Sequence, residues 1–158
     1  MRIIVISGYF NPLHTGHLDY IEGASKLGEK LIVIVNNDAQ VELKGSKPFM
    51  SESERIRIVS AIKGVHKAIL SSDTDGSVVR TLDATYSKYA TDYFFDHMIF
   101  ANGGDRTEGN SPEEKYCQWK QIKTVYGVGG GKTQSSSSLL KDSSIDDIIR
   151  KNQGHPHE

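Results

Sequence analysis

The chain has 158 residues, of which 37% are hydrophobic and 25% are charged, and its 19 basic and 20 acidic side chains leave a formal net charge of -1. This length suits one globular domain with a buried core, and the balanced charge argues against a nucleic-acid-binding or membrane-bound protein. The single cysteine, Cys117, excludes an internal disulfide framework. No apolar run approaches the roughly 18 residues of a membrane span, and no signal-peptide pattern opens the chain, so we expect a cytoplasmic protein.

Apolar runs and helical patterns alternate in chain order. Short β-branched runs predict strands at 2–7, 29–37, 65–71, 93–105 and 123–128. Apolar spacing and capping residues predict helices at 15–28, 51–64, 75–90, 111–122 and 135–151, with a short helical piece within 38–50. The alternation predicts an α/β fold, a Rossmann-like open parallel sheet of five strands with helices on both faces. We expect one domain over residues 1–150 and a loose tail over 151–158.

Two helices carry predictions at the level of single residues. In the first, the residues expected on the buried face are Leu18, Ile21, Ala24 and Leu27. In the helix at 51–64, Ser51 is expected to cap the N-terminus, with Glu54 at the capping-box position.

The segment "GYFNPLHTGH" (8–17) follows the first strand and opens the first helix. Gly8 permits close backbone approach, and Gly16 and His17 begin a helix whose free N–H groups and dipole favour an anion. Imidazoles at His14 and His17 can donate hydrogen bonds to phosphate oxygens. A zinc site is less favoured because two histidines are too few ligands, while histidines that only close a turn are the remaining alternative.

Three polar, glycine-rich stretches lie at predicted strand ends, namely 8–17, 101–106 and 127–138. Parallel sheets bind ligands beyond the carboxyl ends of their strands, at the point where strand order reverses. We therefore expect these stretches to converge on one phosphate-binding pocket.

The segment 8–17 resembles the G-x-F-D-x-x-H-x-G-H signature of the cytidylyltransferase-like nucleotidyltransferases, with Asn11 at the place of the commoner aspartate. The resemblance continues through "KGSKPFMSESERIRIV" and "NGGD" and covers most of residues 2–140. It is strongest to glycerol-3-phosphate cytidylyltransferase and to the heptose-1-phosphate adenylyltransferase domain. It implies transfer of a nucleoside monophosphate from CTP or ATP to a phosphorylated sugar or polyol, with release of pyrophosphate.

The same resemblance assigns residues and partners. It implies that His14, His17 and Lys44 are catalytic. The residues that it places around the nucleotide and its phosphates are Gly8, Tyr9, Phe10, Asn11, Gly16, Lys47, Arg55, Gly103, Gly104, Asp105, Gln134, Ser135, Ser136 and Ser137. It also implies Mg2+ as cofactor, without direct protein ligands, and a homodimer.

Two other interpretations stay open at this point. A nucleotide-binding sensor with the same fold would bind without turnover. A phosphotransferase would use "GVGGGKT" (127–133) as a phosphate loop, but only three residues separate Gly127 from Gly131 where that motif requires four. The segment "RTEGNS" (106–111) superficially resembles a later signature of the nucleotidyltransferases, but it precedes the fifth strand instead of following it.

Overall fold

Five parallel strands form a single sheet in the computed structural model of the chain, which describes residues 1–92, 97–104, 109 and 111–129. The strands are β1 (Arg2–Gly8), β2 (Lys30–Val35), β3 (Lys67–Leu70), β4 (His97–Gly103) and β5 (Lys123–Val128). Their order across the sheet is β3-β2-β1-β4-β5, and each neighbouring pair is parallel. The strand order therefore reverses beside β1, which lies at the centre of the sheet.

Helices connect the strands as predicted, with bounds that differ by a few residues. They are α1 (Thr15–Ser25), α2 (Asp38–Leu43), α3 (Glu52–Ser60), α4 (Val79–Asp92) and α5 (Pro112–Lys120). The predicted capping box of α3 is confirmed: the Glu54 N–H donates to Ser51 Oγ, and the Ser51 N–H donates to the Glu54 carboxylate, both at 3.3 Å. Within the described residues no helix is both long and apolar enough to cross a bilayer.

Alternate residues of β1 point to opposite faces of the sheet and enter two separate hydrophobic clusters. Ile4 and Ile6 join the cluster that packs against α1 and α3. Ile3 and Val5 join the cluster that packs against α4 and α5. Since helices cover both faces, the predicted fold class is confirmed.

The predicted inward face of α1 is right at three of its four positions. Ile21, Ala24 and Leu27 are fully buried, but Leu18 is 40% exposed. The stripe that faces the sheet is centred on Ile21 and Ala24, and it continues through the partly buried Tyr20. Leu18 falls at the edge of that stripe, because successive residues of a helix are rotated by about 100°.

Cys117 is part of the core on the α4–α5 face. It is completely buried, and burial raises the pKa of its thiol to about 12. A thiol in this state is a poor nucleophile, so Cys117 acts as a small core residue.

Candidate functional site

The segment 8–17 connects the carboxyl end of β1 to the N-terminus of α1. Because β1 is central and the strand order reverses between β2 and β4, this segment lies at the position where open parallel sheets bind ligands. The chain leaves β4 at Gly103 and β5 at Val128 on the same edge, since all five strands are parallel.

His14 and His17 form a reciprocal cap on α1. The Gly16 N–H donates to His14 Nδ1 at 3.1 Å, and the His14 N–H donates to His17 Nδ1, also at 3.1 Å. The two rings lie against each other with their centroids 3.9 Å apart. This is the capping-box arrangement, with imidazole nitrogens in place of the usual oxygens.

The cap determines which nitrogen of each ring carries a proton. A ring nitrogen that accepts a hydrogen bond is not protonated, so each neutral imidazole keeps its hydrogen on Nε2. Both histidines therefore offer an Nε2–H donor at the N-terminus of α1. The prediction of free helix amides needs correction here: the Gly16 N–H is bound by His14 Nδ1, and the His17 N–H is bound by the His14 carbonyl.

His17 is held neutral by its surroundings. Burial, and secondarily the nearby His14, lowers the pKa of His17 to about 4 from the ordinary 6.5. Part of the burial comes from Phe10, whose ring meets the His17 ring edge-on at a centroid distance of 4.9 Å. At neutral pH His17 is thus an uncharged hydrogen-bond donor.

Two residues of the segment owe their place to close packing. A Cβ on Gly16 would lie 2.9 Å from Cε1 of His14, so only glycine lets the His14 ring fold back over the helix. Phe10 has a left-handed φ of 52°, which is uncommon for an aromatic residue. Its ring is buried, and it covers Gly8.

Asn11 connects the histidine segment (8–17) to the lysine loop, which is residues 44–51 between α2 and α3. Its Nδ2 donates to the Lys47 carbonyl at 2.8 Å. Its Oδ1 accepts from the N–H of Phe49 at 2.6 Å and from the N–H of Met50 at 3.3 Å. The side-chain amide therefore donates through its nitrogen and accepts through its oxygen.

The lysines predicted to contact phosphates lie on that same loop. Lys44 Nζ lies 3.9 Å from the centre of the Tyr9 ring, in a cation–π contact. Lys47 is exposed, and its carbonyl is bound by Asn11. The structure therefore brings Lys44 onto the histidine segment through Tyr9, and Lys47 through Asn11.

Arg55 differs from its predicted role as a nucleotide contact. Its side chain is 0% exposed, and its guanidinium donates to the carbonyls of Met50, Tyr9 and Asn36 and to the carboxylate of Asp38 at 2.6 to 3.0 Å. A group so enclosed has no surface to offer a phosphate. Arg55 instead holds the carboxyl ends of β1 and β2 against the start of α3.

Gly103 and Gly104 are placed at the end of β4, as expected. The Tyr20 ring of α1 lies 3.7 Å from where a Cβ of Gly103 would be, and the Tyr20 hydroxyl donates to the Ala101 carbonyl at 2.7 Å. The end of β4 is thereby fixed to α1. Asp105 lies outside the described residues.

The chain crosses α1 as it leaves β5. Gly129 has a φ of 64°, and a Cβ there would lie 2.4 Å from the Asp19 carbonyl oxygen, so only glycine permits this approach. Gly129 is therefore within about one turn of His17 along α1. The predicted phosphate contacts Gln134, Ser135, Ser136 and Ser137, the helix at 135–151 and the tail at 151–158 lie outside the described residues, as does most of the segment 127–133.

Sequence reasoning missed the polar network that fixes the loop after β3. Asn37 Nδ2 donates to the carbonyls of Ser71 and Asp73 at 3.0 Å. Gln40 Nε2 donates to the carbonyls of Asp75 and Ser77 at 2.7 and 2.8 Å. One signal was present: Asn37 followed three residues later by Gln40 is a capping-box pattern, and both halves of that box form.

The arrangement can bind phosphates by several donors at once. Two imidazole Nε2–H donors lie at the positive end of an 11-residue helix, and two lysines lie on a loop that is hydrogen-bonded to the same segment. Among the described residues, no group of three or more His, Cys, Asp or Glu side chains is arranged to hold a metal ion.

Comparison with known proteins extends this picture beyond the described residues. The model of the family described as cytidylyltransferase-like matches residues 5–151. A FAD synthase from Archaeoglobus profundus is 46% identical over 72 residues, which cover 46% of each chain. The Bifunctional protein HldE from Magnetococcus marinus is 33% identical over 130 residues, which cover 80% of this chain and 26% of that protein. The aligned part thus spans about half, or less, of these curated relatives.

A solved structure shares the fold. The lipopolysaccharide core biosynthesis protein from Thermoplasma volcanium superposes with a TM-score of 0.60 at 23% identity, over 81% of this chain and 96% of that chain. The matched family model covers nearly the whole chain, including the histidine segment from β1 onward and the part beyond Gly129. The chain belongs to the cytidylyltransferase-like family.

Proposed function

We propose that the protein is a nucleotidyltransferase, which moves a nucleoside monophosphate from an NTP to a phosphorylated small molecule and releases pyrophosphate. The observation that carries the proposal is the reciprocal cap of His14 and His17, which leaves two Nε2–H donors together at the N-terminus of α1. Such fixed donors stabilise phosphate oxygens without a cost of reorganisation during the reaction.

The proposed chemistry needs no general base. A phosphate oxygen of the acceptor, already ionised at pH 7, attacks the α-phosphorus in line. The new O–P bond forms as the bond between the α-phosphorus and the bridging oxygen breaks, and the electron pair leaves with pyrophosphate. Catalysis then consists of positioning and charge neutralisation.

Each side chain of the site has a role in this scheme. His14 and His17 donate to oxygens of the α-phosphate and of the departing pyrophosphate. Lys44 and Lys47 neutralise charge that develops between acceptor and nucleotide. We propose Mg2+ as the cofactor, held chiefly by phosphate oxygens and water; the described residues offer no ligand cage for it.

The nucleotide that we propose first is ATP, with CTP as the alternative. FAD contains an adenylyl group, and the FAD synthases from Archaeoglobus profundus and Methanosphaerula palustris are 46% and 44% identical over 72 and 75 residues. The acceptor that we propose first is a sugar or polyol phosphate. This acceptor follows from the resemblance to the heptose-1-phosphate adenylyltransferase domain. The longer alignment with HldE, which covers 80% of the chain, supports it.

A second acceptor is favoured by a specific observation. The Phe49 ring is 75% exposed and the Leu43 side chain 61% exposed, both on the segment that carries the lysines. Asn11 binds the Phe49 N–H, so an exposed aromatic ring is tethered beside the phosphate donors. Such a ring suits an acceptor that is itself flat and aromatic, and FMN, which becomes FAD on adenylylation, has this character.

A screen for pyrophosphate tests the proposal. The protein is incubated with ATP, CTP, GTP or UTP, Mg2+ and a panel of sugar phosphates, polyol phosphates and FMN, with His14→Ala as the control for contaminating activity. Pyrophosphate released by the wild type, but at least ten times more slowly by the variant, is the expected result. Nucleotide binding without release across the panel would instead identify a sensor, and ADP as product would identify a phosphotransferase.

We also propose a cytoplasmic homodimer that binds neither nucleic acid nor membrane. The near-neutral net charge of -1 supports the last two points. Sedimentation equilibrium of the purified chain decides the oligomeric state, and a monomer at micromolar concentration would contradict the dimer.

A further inference from the structure

The Asn11 side chain reaches from the histidine segment to the lysine loop and binds it at three backbone groups. The Lys47 carbonyl and the N–H groups of Phe49 and Met50 are its partners. These contacts use Oδ1 twice and one of the two Nδ2–H donors. The side chain is thus committed chiefly to the loop.

We propose that Asn11 is a positioning residue, which sets the loop carrying Lys44 and Lys47 at a fixed distance from His14 and His17. The proposal rests on the nucleotidyltransferase function above. Asn11 lies three residues before His14 in the same segment, and its amide holds the loop at Lys47 itself. Its Nδ2 binds the Lys47 carbonyl, and its Oδ1 binds the N–H groups of Phe49 and Met50 further along the loop.

The chemistry of the amide explains why asparagine and not aspartate stands here. An aspartate could still accept from Phe49 and Met50. It could not donate to the Lys47 carbonyl, and it would instead place a carboxylate oxygen 2.8 Å from the carbonyl oxygen, where Nδ2 now lies. Two acceptors at that distance repel each other, so the loop would move away from the histidines.

A second clamp in the same molecule supplies a matched control. Asn37 also donates through Nδ2 to backbone carbonyls, those of Ser71 and Asp73, while its Oδ1 accepts from the Gln40 N–H. Asn37→Asp therefore makes the same chemical change as Asn11→Asp, at the opposite end of α2 from Lys44. It reports the cost of losing such a clamp where the partners, Ser71 and Asp73, lie on the loop after β3.

Hydrogen exchange of the nucleotide-free protein tests the clamp directly. In Asn11→Ala the amides of Phe49 and Met50 should exchange at least ten times faster than in the wild type, because their acceptor is gone. In Asn37→Asp they should exchange at the wild-type rate. Unchanged exchange of both amides in Asn11→Ala would overturn the proposal.

A double-mutant cycle tests whether Asn11 acts through the lysines. We expect Asn11→Asp and Asn11→Ala to lower kcat at least tenfold, since small misplacements at a reacting centre are costly, and Asn37→Asp to stay within twofold of the wild type. In a Lys44→Ala background, Asn11→Ala should cost less than threefold further. Losses that multiply fully, or a kcat unchanged in Asn11→Asp, would contradict a positioning role.

Failure of the proposed function gives a different result. If the wild type releases no pyrophosphate with any acceptor, the nucleotidyltransferase proposal fails. The exchange experiment still decides whether the clamp exists, and the same cycle run on the Kd for MgATP decides whether it acts on the lysines.

Discussion

Each histidine of the segment 8–17 uses its two ring nitrogens differently. Nδ1 accepts a backbone N–H and fixes the ring on α1, and Nε2 keeps the proton that can reach a ligand. A serine or aspartate cap would satisfy the helix equally well. Imidazole differs because its donor, Nε2–H, lies across the ring from the Nδ1 that caps the helix, whereas serine donates and accepts at one oxygen and an ionised aspartate has no donor.

His17→Ala should lower turnover by about 10²-fold or more, the usual loss when one preorganised donor to developing charge is removed. His66→Ala is the matched control, since His66 is an exposed histidine outside the site. The measurement is kcat for pyrophosphate release by both variants. Equal turnover by His17→Ala and the wild type would remove His17 from the catalytic assignment.

The lowered pKa of His17 predicts a pH dependence of stability. In the unfolded chain His17 takes up a proton below about pH 6.5, whereas in the folded protein it stays neutral down to about pH 4. The unfolded state binds more protons in this window, so the free energy of unfolding should fall as the pH is lowered from 6.5 to 4.

His17→Asn isolates this contribution, because an asparagine oxygen can still accept the His14 N–H. Urea unfolding at several pH values between 4 and 7 should show a weaker fall in stability for the variant than for the wild type. The same slope in both proteins would show that His17 titrates normally in the folded state.

The pattern of Gly8, His14, Gly16 and His17 predicts phosphate binding after a strand. The structure brings both histidines together at the N-terminus of α1, and their contact with phosphate stays a prediction. Arg55 and Asn11 were both expected near the nucleotide, yet Arg55 donates to three carbonyls and to the Asp38 carboxylate, and Asn11 donates to the Lys47 carbonyl. Apart from the Met50 carbonyl, these partners are 17 to 46 residues away in sequence, and local pattern carries no information about them.

At the scale of elements, one buried arginine joins three segments. Arg55 on α3 binds the backbone after β1 through Tyr9, the backbone after β2 through Asn36, and the first residue of α2 through Asp38. A planar group with five donors can satisfy such divergent acceptors, and a lysine cannot. The carboxyl ends of two strands are thereby held in register with the lysine loop.

Arg55→Ala should therefore destabilise the fold by about 3 kcal/mol or more, because buried acceptors and one partly buried carboxylate lose their partner. Arg57→Ala on the same helix is the control, and it should stay within about 0.5 kcal/mol of the wild type because Arg57 is exposed. Urea denaturation with a shared m-value measures both. A loss below 1 kcal/mol for Arg55→Ala would contradict the structural role.

Element order and type followed from the sequence, because apolar runs of β-branched residues and amphipathic helices alternate without interruption. Boundaries were less predictable. The third strand was expected over 65–71 and is four residues long, Lys67–Leu70: these four residues pair with β2 in register, while His66 and Ser71 each add one hydrogen bond to β2 at the strand's two ends. The exposure of Leu18 depends likewise on how α1 is rotated against the sheet, which tertiary packing decides.

At the scale of the whole molecule, topology collects the site. The order β3-β2-β1-β4-β5 puts β1 at the centre, so the histidine segment lies between the ends of β2 and β4. The α2–α3 loop contacts Tyr9 and Asn11 of that segment, and the exit of β5 packs against Asp19 and Tyr20 of α1. The match of the family model to residues 5–151 indicates that the chain beyond Gly129 belongs to the same functional unit.

The fate of labelled phosphates in ATP distinguishes nucleotidyl transfer from phosphoryl transfer. With the acceptor identified by the pyrophosphate screen and Mg2+ present, label from [α-32P]ATP should appear covalently on the acceptor, while label from [γ-32P]ATP should appear only in pyrophosphate. His17→Ala should slow both in parallel. Transfer of the γ-label to the acceptor, with release of ADP, would contradict nucleotidyl transfer.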